Sequence, residues 1–169
     1  MENRQGIKIM PLLLIIFGIL LRLSPHKVNF APIGAIALFS GVYLPKRWNF
    51  IVPIIALLVT DYILKFYGSL MIFTYGSYVL ITFLGQIFKK FNIVAPLIAS
   101  VIFFTISNYG FWAVYGGNLI STYIAAIPFF KTTVLSDLLY TCGLFAGYEI
   151  IKYVVKVVKH DSVVVSWLV

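Results

Sequence analysis

The chain has 169 residues, of which 62% are hydrophobic and only 11% charged. A soluble domain carries about 45–50% apolar and about 25% charged residues, and one of this size has no interior large enough to hide such an excess. A soluble enzyme and a disordered chain are thereby excluded, and so is a nucleic-acid binder, because the net charge of +8 is spread between apolar runs and not gathered in a patch.

What remains is an integral membrane protein. At about 20 residues per spanning helix there is room for six or seven spans and no separate soluble domain. The first predicted span is residues 7–23, preceded by Arg4 and Lys8. No small-x-small cleavage site follows it, so it reads as a retained span and not as a signal peptide. The second, 29–44, is short and ends at Pro45-Lys46-Arg47, and Pro32 beside Gly34 predicts an irregular start. The third is 48–64, anchored by Trp48 at the interface, and the fourth is 70–88, ended by Lys89-Lys90. The fifth is 93–114. A longer connection, 115–130, carries Gly116, Gly117 and Pro128 and reads as a mobile lid. The sixth is 131–155, and it closes a single domain, 1–160. The tail, 161–169, is apolar but too short to span. The runs are unbroken and lack period-two alternation, so helices are preferred over strands.

Lysines and arginines divide unevenly between the two sides. With the N-terminus inside, nine lie on the inner side (Arg4, Lys8, Lys46, Arg47, Lys89, Lys90, Lys152, Lys156, Lys159). Four lie outside: Arg22, Lys27, Lys65 and Lys131. The bias places both termini in the cytoplasm.

Ionisable groups inside spans are costly and are usually paired or functional. At a rise of about 1.5 Å per residue, Asp61 and Asp137 fall about 10 Å and 9 Å below the outer edge, and Asn108 and Arg22 about 7–8 Å below it. Asn29 and Tyr75 enter from the same side. This predicts one shallow polar layer over an apolar inner bundle, suited to capturing a small solute from outside. Nearby aromatics, Tyr62, Tyr75, Tyr78, Tyr109, Trp112, Tyr115, Tyr123 and Tyr140, are candidates to line it. Each has a plainer reading. Asp61 and Lys65 are one turn apart and could neutralise each other. Asp137 near a helix start suits the helix dipole. Tyrosine and tryptophan form interfacial belts in any membrane protein.

No G-x-S-x-G, H-E-x-x-H or P-loop motif occurs, so catalytic residues, cofactor and metal are all expected to be absent. Cys142 is the one cysteine and reads as a buried structural residue. Small-xxx-small patterns at Ala31/Ala35, Ala37/Gly41, Ala95/Ala99 and Gly143/Gly147 predict close helix packing within the bundle.

The run from Asn29 to Gly41 with Tyr43-Leu44-Pro45-Lys46-Arg47, together with Asp61, Ser107-Asn108-Tyr109-Gly110, Trp112, Ala126 to Phe130 and Ser136 to Tyr140, resembles an uncharacterised family of small bacterial integral membrane proteins. More distantly it is similar to the S components of energy-coupling factor transporters. The resemblance implies an all-α, six-transmembrane-helix bundle in the bacterial inner membrane, with a vitamin-, heterocycle- or metal-sized solute bound near the outer face. It also implies a membrane coupling protein and cytoplasmic ATPases as partners. S components present an Ala-x-x-x-Ala face on the first helix, whereas here Ala31 and Ala35 lie on the second.

The reading at this level is a substrate-binding subunit that takes up a small solute through Asp61, Asn108, Asp137, Arg22, Asn29, Tyr75, Tyr109 and Trp112. Alternatives are a stand-alone ion-coupled carrier, an intramembrane enzyme or an accessory membrane protein.

Overall fold

A computed structural model describes the backbone of residues 4–166 and the side chains of residues 9–158. Among the described residues every regular element is helical: α1 Arg4–Leu23, α2 Ile33–Tyr43, α3 Lys46–Asn49, α4 Ile51–Leu64, α5 Leu70–Phe88, α6 Val94–Tyr115 and α7 Leu119–Ser166. Phe50 stays helical between α3 and α4, so the two make one 19-residue run, Lys46–Leu64. That run, α5, α6 and α7 are four helices long and apolar enough to cross a membrane.

The short helix α2 is the centre of the bundle. It is apolar on all sides, and residues 33–41 are buried without interruption. A helix with no polar face must be surrounded, and α5, α7, α4 and α6 surround it. Pro32 stands just before its first turn, where a missing N–H and a fixed φ cost nothing. Gly41 of α2 faces Gly85 of α5, and a Cβ on either would run into the opposing backbone. The two helices therefore meet almost backbone to backbone.

Below the start of α2 the bundle is packed solid. Ile36, Phe39, Leu44, Val52 and Phe145 form one buried cluster, and Ala37, Leu38, Ile81, Ala95 and Ala99 form a second. The ends of α2 and α5 and the starts of α3 and α6 lie at this packed end. The ends of α1, α4 and α6 and the starts of α5 and α7 lie at the other.

Several expectations are corrected. The second span does not begin at Asn29. Residues 24–32 are mostly non-helical, and α2 has 11 residues, about 16 Å, or half of a hydrocarbon core of about 30 Å. The supposed lid is helical from Leu119, and only 116–118 form the turn, with Gly116 and Gly117 at φ +75° and +95°. Pro128 is absorbed within α7. The tail is no separate segment up to Ser166, since α7 runs 48 residues to that point. Residues 167–169 lie outside the described backbone, and the side chains of Arg4, Lys8 and Lys159 lie outside the described side chains. Cys142 is exposed, not buried. Gly143 and Gly147 pack against no neighbour; with Met10, Leu13 and Phe17 they line an apolar groove between α1 and α7.

Candidate functional site

Arg22, in the last turn of α1, reaches across to α4. Its Nη2 lies 2.6 Å from Asp61 Oδ1, and its Nη1 donates to Thr60 Oγ1 and to the Leu57 carbonyl. The Tyr75 hydroxyl on α5 donates to Asp61 Oδ2 at 2.9 Å. Both oxygens of Asp61 are thus held, and the residue is buried. The expected partner Lys65 is not used. At φ +76° it leaves the helix, so the one-turn spacing that would bring it over Asp61 is lost.

Asp137 has a different setting. It sits 18 residues into α7, facing Ser100 of α6 and the first turn of α2. Ser100 Oγ lies 2.6 Å from Asp137 Oδ2 and 2.9 Å from the Pro96 carbonyl, and its single proton serves the shorter contact. The carboxylate presses on Gly34, where a Cβ would overlap it. The dipole that favours its charge therefore belongs to α2 and not to its own helix. Beside it, Ser136 Oγ donates to the Ala31 carbonyl at 3.0 Å, tying α7 to the chain just ahead of α2.

The two acids stand at different places along their helices. Asp61 is three residues, about 5 Å, from the end of α4. Asp137 is opposite Ser100, which is 15 residues, about 22 Å, from the end of α6 at Tyr115. The expected depth of about 9 Å took Lys131 as the start of the helix, whereas the helix starts at Leu119. Asp61 and Asp137 are not hydrogen-bonded to each other, each being held by its own partners among the described residues.

A cavity of about 360 Å³ stands above the start of α2, lined by Arg22, Asn29, Tyr67, Tyr78, Thr133 and Asp137 among others. A second lobe of about 220 Å³ shares Asn29, Tyr67, Thr74, Phe103 and Thr133 with it and adds Asn108 and a wall of phenylalanines. Its size suits a small molecule. Asn29 lines both lobes from a left-handed backbone position, φ +60°, which asparagine tolerates better than most residues. Phe103 and Tyr78 stack with centroids 5.2 Å apart.

Of the eight expected site residues, Arg22, Asn29, Asn108 and Asp137 line this space, and Asp61 and Tyr75 stand behind it. Tyr109 and Trp112 do not line it. Tyr109 stacks on Phe73 and Trp112, and Trp112 Nε1 donates to the Gly117 carbonyl, so the pair braces the α6–α7 turn. Of the eight aromatic candidates, Tyr78 lines the space, whereas Tyr62 is 76% exposed on the far side of α4.

A family profile matches residues 3–159 of the chain. The chain belongs to DUF6580, a family of unknown function. No curated protein and no solved structure matches it.

Some residues of this DUF6580 cavity escape a sequence reading. Thr133 is one helical turn before Asp137, so its face was there to be read once α7 was placed. Tyr67 was not, because it lies in the short link 65–69, which carries no periodic signal. Its hydroxyl is buried near Thr74 and Asp61 but makes no hydrogen bond of good geometry among the described residues, and burial pushes its phenol above the usual range. The cavity thus offers a carboxylate with one hydrogen-bond donor, an arginine already neutralised, an unpartnered phenol and aromatic walls.

Proposed function

We propose that this DUF6580 chain captures a small solute for uptake, in the manner of the S components that its sequence resembles. The observation that carries the reading is a cavity that holds Asp137, Asn29 and Arg22 among apolar walls, open at one end of an apolar bundle and closed at its floor by tightly packed side chains. A channel would need polar groups through the full depth. The bias of lysine and arginine turns the cavity outward, away from a cytoplasm that holds both termini. On this reading the chain is a multi-pass protein of a bacterial cell membrane. It has no P-loop of its own, so an uptake cycle would draw on a membrane coupling protein and cytoplasmic ATPases. Asp137, Asn29, Asn108 and Arg22 contact the solute. Asp61 and Tyr75 hold Arg22 in place.

A second reading is a carrier that works alone, coupled to an ion. It is favoured by α2, a half-length helix whose N-terminus opens at mid-depth beside a carboxylate, as in broken-helix carriers. Uptake by proteoliposomes that contain this chain alone would select it.

The capture reading is tested with protein in nanodiscs, incubated with the small-molecule fraction of a cell extract, washed, and eluted for mass spectrometry. The expected result is one enriched solute class, lost in Thr133→Trp, which fills the cavity. A wild-type protein that retains nothing more than the variant overturns the reading.

A further inference from the structure

We infer that Asp137 is the counter-ion for a positively charged nitrogen on the captured solute, either a protonated amine or a cationic heterocycle. This rests on the capture reading and narrows it to a class of ligand.

The fixed charges around the cavity leave one anion uncompensated. Arg22 lines the cavity, but its charge is cancelled by Asp61 at 2.6 Å. Asp137 is 4% exposed, lines the same cavity, and has no lysine, arginine or histidine within 4 Å among the described residues. Its one side-chain donor is Ser100. The first turn of α2 lends it a partial positive charge of about one half, which offsets a full negative charge only in part. A carboxylate buried in this way in an apolar bundle is costly unless a proton or a cation joins it, and a cationic solute would take the proton's place. His26 also lines the cavity, but it is exposed and forms no ion pair with Asp137 among the described residues.

The walls suit an organic cation better than a metal ion. Tyr78 and Phe103 line the cavity together with the carboxylate, and aromatic rings attract cations. Asp137 is the one carboxylate in the cavity lining, and no cluster of three or more histidine, cysteine, aspartate or glutamate side chains occurs among the described residues. Tyr67, with its unpartnered hydroxyl, offers a second polar contact to the same molecule. Gly34 gives this arrangement its depth, because any side chain there would displace the carboxylate from the floor.

The test uses three single-ring probes of similar shape, benzylammonium, benzyl alcohol and benzoate, with sodium chloride as a fourth condition. Binding to the full chain in nanodiscs is followed by calorimetry and by the shift in unfolding temperature. The expected result is benzylammonium at least tenfold tighter than benzyl alcohol, no binding of benzoate, and the cation advantage reduced to twofold or less in Asp137→Asn. If Asp137→Asn does not fold, the wild-type series decides alone. Equal binding of the ammonium and the alcohol, or a shift given by sodium chloride alone, overturns the assignment. Equal binding that Thr133→Trp abolishes leaves solute capture standing, whereas equal binding that Thr133→Trp does not touch removes both.

Discussion

Arg22 and Asp61 stand 39 positions apart in the sequence and 2.6 Å apart in space. Their types were legible, because charged side chains inside apolar runs are costly and stand out. Their partnership was not. It spans two helices, and Lys65 offered a local competitor that only the backbone break at that residue removes. Breaking a buried pair by neutralising one partner strands the other, at about 3–5 kcal/mol. Asp61→Asn is therefore expected to lower the unfolding midpoint in detergent sharply. The double change Arg22→Met with Asp61→Leu is expected to recover most of the loss. A double variant no more stable than the single would show that the pair does not act as a unit. Tyr75→Phe removes one hydrogen bond to the same carboxylate and is expected to cost about 1.5–3 kcal/mol in the same assay.

At the scale of elements, the apolar runs marked most of the helices. The start of the last helix differs from the expectation for one physical reason. A charged or proline residue was taken as a boundary, yet Lys131 and Pro128 both ride inside α7. Lys131 is exposed, and a lysine stem can lie along an apolar surface with its amine held away from it. The shift moved Asp137 from near a helix start to well inside one. The glycines separate by what they face. Gly41→Ala and Gly85→Ala each push a methyl into opposing backbone and are expected to cost about 1–3 kcal/mol. Gly76→Ala meets nothing within 4 Å and is expected to leave the midpoint unchanged or raise it. Thermal unfolding of the three variants side by side checks the contrast, and equal losses would contradict the α2–α5 contact.

For the whole molecule, the arrangement predicts one-sided access. In a Cys142→Ala background, Thr133→Cys and Asn108→Cys are expected to react in intact cells with a membrane-impermeant maleimide. Leu38→Cys, in the packed end, is expected to stay unreactive from either side. Labelling of Thr133→Cys only in inverted vesicles would reverse the orientation. The short central helix α2 has a last consequence. If the chain captures a solute as proposed, a molecule resting against Asp137 meets only the short helix α2 beneath it, about 16 Å long, or half of a hydrocarbon core of about 30 Å. On that proposal, delivery to the far side would require displacing a stopper of that thickness and no more.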